Sequence, residues 1–387
     1  MNILNNTLFL DARSSISNTL VTSEKTCQDI PEVNININDS DPKELFNALQ
    51  YTKSLVLSGR EKNIEQQISN SLLDAIDNSA AELEDFKAWT DGGNSVISPI
   101  IELMYENLIQ DNANNNMAED LMQLLVFDFL LHQDEWDLSD ILTDDEMDYL
   151  GYITENFGSG MHSVYKGYQE NTPSNIIDWF LNTFCKQLES SGKIPEDSVC
   201  FKVLQFFKEV DNKNKLVELG NAYSSELQSV NTSDINFNLS NSISKGESST
   251  HVSPTLKFFL LAQGAKEGSL SANDWVEFIN SDIDGIKKLL GIEEGDKKIA
   301  DWLTDENKNT GWTYDSSGQL DFNRGQEGGI PIADLLNFFK GFPSRVLSDD
   351  ELKEVNRIGD NVKMIMQTLK YWFQILRDER VAVARNI

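Results

Sequence analysis

Between Ser348 and Ile387 the apolar side chains fall on two interleaved rows. Val355, Val362, Leu369, Leu376 and Val383 recur every seven residues, and Ile358, Ile365 and Trp372 follow the first three of these by three. Only Glu379 interrupts the second row. Spacing of this kind over about four heptads is the seam of a coiled coil. Ser348 and Glu351 read as a capping box at its start. Asp349 and Asp350 suit the positive end of the helix dipole, and Arg377, Arg380 and Arg385 the negative end. Met366 and Phe373 widen its apolar face beyond a narrow seam, so a second surface, used between molecules, is expected.

A second heptad run lies earlier in the chain. Thr143 and Glu146 form another capping box, and Leu150, Phe157 and Val164 recur every seven residues behind it. Met161 and Tyr168 fill the intervening row, while Gly158 and Gly160 lower the helix propensity and Pro173 ends or kinks the segment.

The rest of the chain divides by texture. Residues 1–40 are rich in Asn, Ser, Thr and Ile without a helical period and read as extended or disordered. Residues 41–142 form an N-terminal helical domain, with loops at TDGGNS and DNANNN and a helix starting on Ser98 with Pro99 behind it. Within it, LMQLLVFDFLLH is too short for a membrane span, is broken by Asp128, and reads as a core helix. Residues 143–190 hold the first long helix, and 191–346 a mixed α/β insertion. In that insertion Ile235, Phe237 and Leu239 alternate as in a strand. GWTYDSSGQLDFNRG reads as a β-hairpin and IPIADLLNFFKGF as a short helix. Residues 347–387 are the final helix. The fold expected is mainly α with minor β: a long-helix coiled-coil scaffold, an N-terminal helical region and a small inserted α/β region.

Chemistry is sparse. Asp and Glu number 63 against 32 Lys and Arg, giving a formal net charge of −31. That charge excludes nucleic acid and anionic headgroups as charge-selected partners. Cys27, Cys185 and Cys200 are odd in number and fit no zinc spacing. Cys185, inside WFLNTFCKQL, reads as a small buried apolar residue. His132, His162 and His251 sit in no metal motif, and no phosphate-binding or nucleophile-elbow pattern occurs. Asn280, Asp282, Asp284 and Gly285 imitate the front of an EF-hand loop, but Gly291 stands where its last Glu belongs. No catalytic residue, metal or cofactor is expected. The first residues lack a basic n-region and make a poor Sec signal peptide.

The order of these pieces resembles the type III secretion needle-tip proteins, the IpaD/SipD/BipD group and more distantly LcrV. IADWLTDE, then the hairpin GWTYDSSGQLDF, then IPIADLLNFF follow the order of that family's Trp-Leu-Thr helix, hairpin and short helix. DELKEVNRIGDNVKMIMQTLKYW is similar to its terminal helix, and the Ser/Asn/Ile-rich N-terminus to a type III export signal. The resemblance covers roughly residues 143–387. It implies a non-enzymatic virulence protein, secreted to the bacterial surface without a Sec signal peptide. In that family two long helices form an intramolecular coiled coil with a mixed α/β region inserted between them, so the resemblance implies that Leu150, Phe157 and Val164 pair with Val355, Ile358, Val362, Ile365 and Leu369. It implies that Trp372, Phe373, Leu376, Arg377, Arg380 and Val383 serve assembly contacts. It further implies that the protein caps the needle and supports translocon assembly. Its implied partners are the needle subunit, other copies of itself and the hydrophobic translocators. A secreted effector of unrecognised family and a cytoplasmic helical adaptor or chaperone are the other two classes expected from a chain of this kind.

Overall fold

The computed structural model describes residues 46–47, 49–50, 53, 64–110, 116–160, 162–165, 171–229, 242–244, 250–292, 298–314, 320–322 and 329–385. The expected extended segment 1–40 and the alternation at Ile235, Phe237 and Leu239 lie outside the described residues. The fold is mainly α with minor β. No helix among the described residues is long and apolar enough to cross a membrane.

The chain forms two compact units, one of Met1–Lys87 with Leu347–Ile387 and the other of Ala88–Val346. The boundary at residue 346 is where the final helix was expected to begin. Residues 88–142, 143–190 and 191–346 share one core, however, and are not separate bodies.

The first unit is built on α1 (Ile64–Asp91), whose last turn passes into the second unit, and α14 (Asp349–Arg385). At 1.5 Å per residue α14 is about 55 Å long. Its buried row is Val355, Ile358, Val362, Ile365, Leu369 and Trp372. That row packs with Leu72, Leu73, Ile76, Ala80 and Leu83 of α1, and with Leu49, in one apolar cluster.

In the second unit α1 hands over to α2 (Asn94–Gln110) through Gly92 and Gly93, both left-handed at φ 68° and 58°. A β-carbon on Gly92 would sit 2.7 Å from the Ser344 nitrogen, so this turn admits no side chain. The start of α2 differs from expectation. It begins at Asn94 and carries Pro99 inside, rather than starting on Ser98. Pro99 lies close enough to the N-terminus that its missing N–H removes only one early bond.

The central element is α3 (Met117–His132), buried from Glu119 to Leu130 on every side. It packs against α2, α4 (Asp144–Asn156), α7 (Val199–Lys208), α8 (Val210–Ser229) and α9 (Pro254–Lys266). LMQLLVFDFLLH is thus a core helix. Asp128 within it accepts from the Cys200 backbone N–H at 2.7 Å, at the start of α7.

α4 starts as expected: Glu146 Oε2 accepts from the Thr143 N–H at 2.9 Å, and Thr143 Oγ1 accepts from the Glu146 N–H at 3.4 Å. It then stops at Asn156, after 13 residues. Gly158 and Gly160 take φ 98° and 92°, which no α-helix contains. β1 (Ser163–Tyr165) follows and pairs antiparallel with β2 (Ser242–Ser244), Val164 opposite Ile243. The long helix expected to run from Thr143 to Pro173 therefore stops at Asn156. Pro173 does not break a helix but opens α5 (Pro173–Trp179), capped by Thr172. A π-turn over Phe180–Phe184 joins α5 to α6 (Cys185–Ser191).

After α9 come α10 (Ala272–Asn280), α11 (Ile283–Leu289) and α12 (Ile299–Leu303). The hairpin then appears as β3 (Trp312–Tyr314) and β4 (Leu320–Phe322), paired antiparallel with Trp312 opposite Phe322. α13 (Ile332–Lys340) completes the unit. Phe258, Phe259, Phe338, Phe339 and Phe342 stack around it with ring centroids 4.1 to 6.1 Å apart. Asp282, the candidate EF-hand ligand, accepts from the Gly285 N–H at 2.9 Å and caps α11.

Candidate functional site

Two places concentrate the side chains that matter. The first is α14. Ser348 and Glu351 form its capping box: Glu351 Oε2 accepts from the Ser348 N–H at 2.8 Å and Ser348 Oγ from the Glu351 N–H at 3.3 Å. Arg357 bonds Glu354 one turn behind it at 2.6 Å and Glu82 of α1 at 3.0 Å. Of these contacts, the bond from Arg357 to Glu82 joins α14 to α1 beside the apolar seam.

Val355, Ile358, Val362, Ile365 and Leu369 are all buried in this seam. Leu150, Phe157 and Val164, their expected partners, are buried elsewhere. Leu150 and Phe157 belong to the core of the second unit, and Val164 packs with Leu227. The reason is local: once Gly158 turns the chain, Val164 cannot continue the row begun by Leu150. The partner of α14 is α1, which lies in the expected N-terminal helical domain. Its stripe includes Ala80 and a tandem Leu72–Leu73, so the heptad signal is diluted.

The six residues expected to face other molecules divide. Trp372 is buried at 5 % exposure, and Phe373 and Leu376 are half-buried against the same cluster. Trp372 therefore belongs to the seam, because the 3-4 spacing carries it onto the same face as Leu369. Arg377, Arg380 and Val383 are exposed.

The second place is a buried polar network in the second unit. Glu119, Asp120 and Gln123 of α3 are at most 1 % exposed. The loop after α4 delivers its backbone to them. Glu119 accepts from the Gly158 N–H at 3.0 Å, and Asp120 accepts from the Ser159 N–H and hydroxyl, each at 2.6 Å. Tyr223 of α8 donates to Glu119 at 3.0 Å. Burial, then the Glu119 charge, push its hydroxyl up, so it remains a donor. Gln123 donates to the carbonyls of Thr154 and Phe157 at 2.9 and 2.6 Å and accepts from the Thr255 N–H at 3.3 Å. Sequence reasoning missed this network. Two acids in the first turn of an apolar helix look like dipole partners, and only the paired glycines hinted at a packed loop.

Nearby lies a buried acid pair. Glu155 of α4 and Asp321 of β4 are 2 % and 1 % exposed and lie within electrostatic reach of each other. Burial first, and the Asp321 charge second, push Glu155 well above the usual carboxylate range. Phe322 adds a backbone N–H to Glu155 at 3.2 Å. The pair pins the hairpin to α4. A separate cavity of about 90 Å³ opens beside Asp120, lined by Asn107, His251, Lys257, Asn280 and Asp282 among others. Lys257 donates to the Ile279 carbonyl there at 2.6 Å. Burial pushes the Cys185 and Cys200 thiols up, which makes both poor nucleophiles. Among the described residues no group of His, Cys, Asp and Glu is placed to hold a metal ion. The chain matches no family model, no curated protein and no solved structure.

Proposed function

We propose that this is a non-enzymatic needle-tip protein of a type III secretion system, exported to the bacterial surface, where it caps the needle and supports translocon assembly. One observation carries the reading. The first and last long helices pair with each other, and a unit with its own core is inserted between them. An intramolecular pair of long helices around an inserted, hairpin-bearing region is what the sequence resemblance implies. Here α1 takes the place of the helix expected after Thr143. The exposed end of α14, with Arg377, Arg380 and Val383, supplies the contact with the needle subunit or with other copies.

A secreted enzyme would be favoured by a strongly perturbed acid pair facing a pocket. Glu155 is perturbed, but neither it nor Asp321 lines the cavity beside Asp120. Its bonds to the hairpin give it a structural role, so the assembly reading is preferred.

The test is export. The full chain is expressed in a strain with an active type III system, beside a deletion of residues 1–40. The full chain is expected in the medium and on needle tips, with the deletion retained inside. Retention of the intact chain in a secretion-competent strain rejects the reading.

A further inference from the structure

Met364, Tyr371 and Ile375 are the most exposed large apolar side chains in the middle of α14, at 60 %, 70 % and 57 %. Their spacing is seven and four. At 3.6 residues per turn they fall within about 40° of each other, roughly 130° round the helix from the buried row. Thr368 and Ala382 lie on the same stripe, completing a second 3-4 seam that α1 does not cover.

The charges along α14 say what covers it. In residues 349–367 acids outnumber bases five to three, and in 368–385 bases outnumber acids four to two. A second α14 laid antiparallel sets the acidic half of each helix on the basic half of the other. A parallel copy sets like on like. In a chain of net charge −31, self-association needs such an offset against general repulsion.

The stripe agrees with that orientation. With a two-fold axis between Leu369 and Lys370, Met364 meets Ile375 of the second copy and Thr368 meets Tyr371. The same register sets Glu354 against Arg385. One axis therefore satisfies both the apolar and the charged positions, as an isologous interface requires.

We infer that the exposed face of α14 is a self-association surface, on which two copies of this chain pair antiparallel through Met364, Thr368, Tyr371 and Ile375. The inference names a partner within the assembly reading above and rests on it. The solution experiment needs no secretion system, so either idea can fail without the other.

The test is sedimentation velocity of the purified full chain from low to high micromolar concentration. A monomer–dimer equilibrium is expected. Tyr371→Glu is expected to raise its dissociation constant about tenfold or more, the usual effect of losing a central aromatic anchor. Met364, Tyr371 and Ile375 are exposed, so substituting them should leave helical content unchanged by circular dichroism. Orientation is read by oxidation in a Cys27→Ser background. A mixture of Met364→Cys and Ile375→Cys chains should give the mixed disulfide, and neither variant alone should cross-link. A monomer throughout the range, a dimer indifferent to Tyr371→Glu, or cross-linking of Met364→Cys to itself overturns the inference.

Discussion

Ser159 gives both its backbone N–H and its hydroxyl to the carboxylate of Asp120, each at 2.6 Å, with both residues essentially out of solvent. The bond joins a loop to the most buried helix of the second unit. Asp120→Ala leaves two buried donors without their acceptor and is expected to destabilise by roughly 2–5 kcal/mol. Asp120→Asn keeps an acceptor oxygen and should lose less. Urea unfolding midpoints of the two variants check the order.

Gly158 and Gly192 make a matched pair of tests. Both have positive φ, at 98° and 62°. A β-carbon on Gly158 would lie 2.6 Å from the Ser253 β-carbon and 2.8 Å from Gln123 Oε1, whereas one on Gly192 meets nothing within 4 Å. Gly192→Ala should cost about 1 kcal/mol, from the backbone alone. Gly158→Ala adds overpacking and should cost roughly 3 kcal/mol or more. Equal melting temperatures for the two would contradict the packing described for the Gly158 loop.

The end of α14 can be trimmed in two places with opposite results. Truncation after Arg377 removes only exposed residues of the described helix and should change stability by no more than about 0.5 kcal/mol. Truncation after Lys370 also removes Trp372, Phe373 and Leu376 from the apolar cluster of the first unit. Loss of the buried Trp alone is expected to cost about 3–5 kcal/mol. Protease protection of α1 should survive the first truncation and fail in the second.

Glu155 gives the second unit a pH dependence of predictable sign. Its carboxyl is held above the usual value, 4.5, by burial first and by the Asp321 charge second. Below that value Glu155 is protonated in both folded and unfolded chains. Above it the unfolded chain releases the proton while the folded one keeps it, so stability falls until the folded pKa is passed. Glu146 opposes this weakly: burial raises it, but the bonds from Thr143 and Trp179 win and lower it. Glu155→Gln should flatten the loss of stability as pH rises from 4.5. A slope identical to that of the parent chain would show that the pair does not govern it.

Much of the architecture could be read before the coordinates. The capping boxes at Thr143 and Ser348, the hairpin around DSSG, the core helix at LMQLLVFDFLLH and the seam of α14 rest on short-range chemistry that the sequence displays. What escaped were choices made at long range. The heptad Leu150, Phe157, Val164 is periodic by coincidence: α4 ends at Asn156, beyond which Glu119 and Asp120 take the backbone N–H groups of Gly158 and Ser159. α1 was invisible as the partner because a stripe of Leu, Ile and Ala needs only to match α14, not to repeat perfectly. Trp372 was set on the wrong face because an exposed surface was expected to begin where the aromatics do.

The bond between Arg357 and Glu82 spans 275 residues of chain. Closing a loop of that size is entropically uphill and is repaid only when both long helices are in place. The inserted unit has every strand and helix of its own core within Ala88–Val346 and can settle on its own. The apolar stripe of α1 has no such option, since its cover, α14, is made only after the whole of the inserted unit. Until α14 is made, that stripe lacks this cover. The order of folding is therefore inside-out: middle first, then the two ends together.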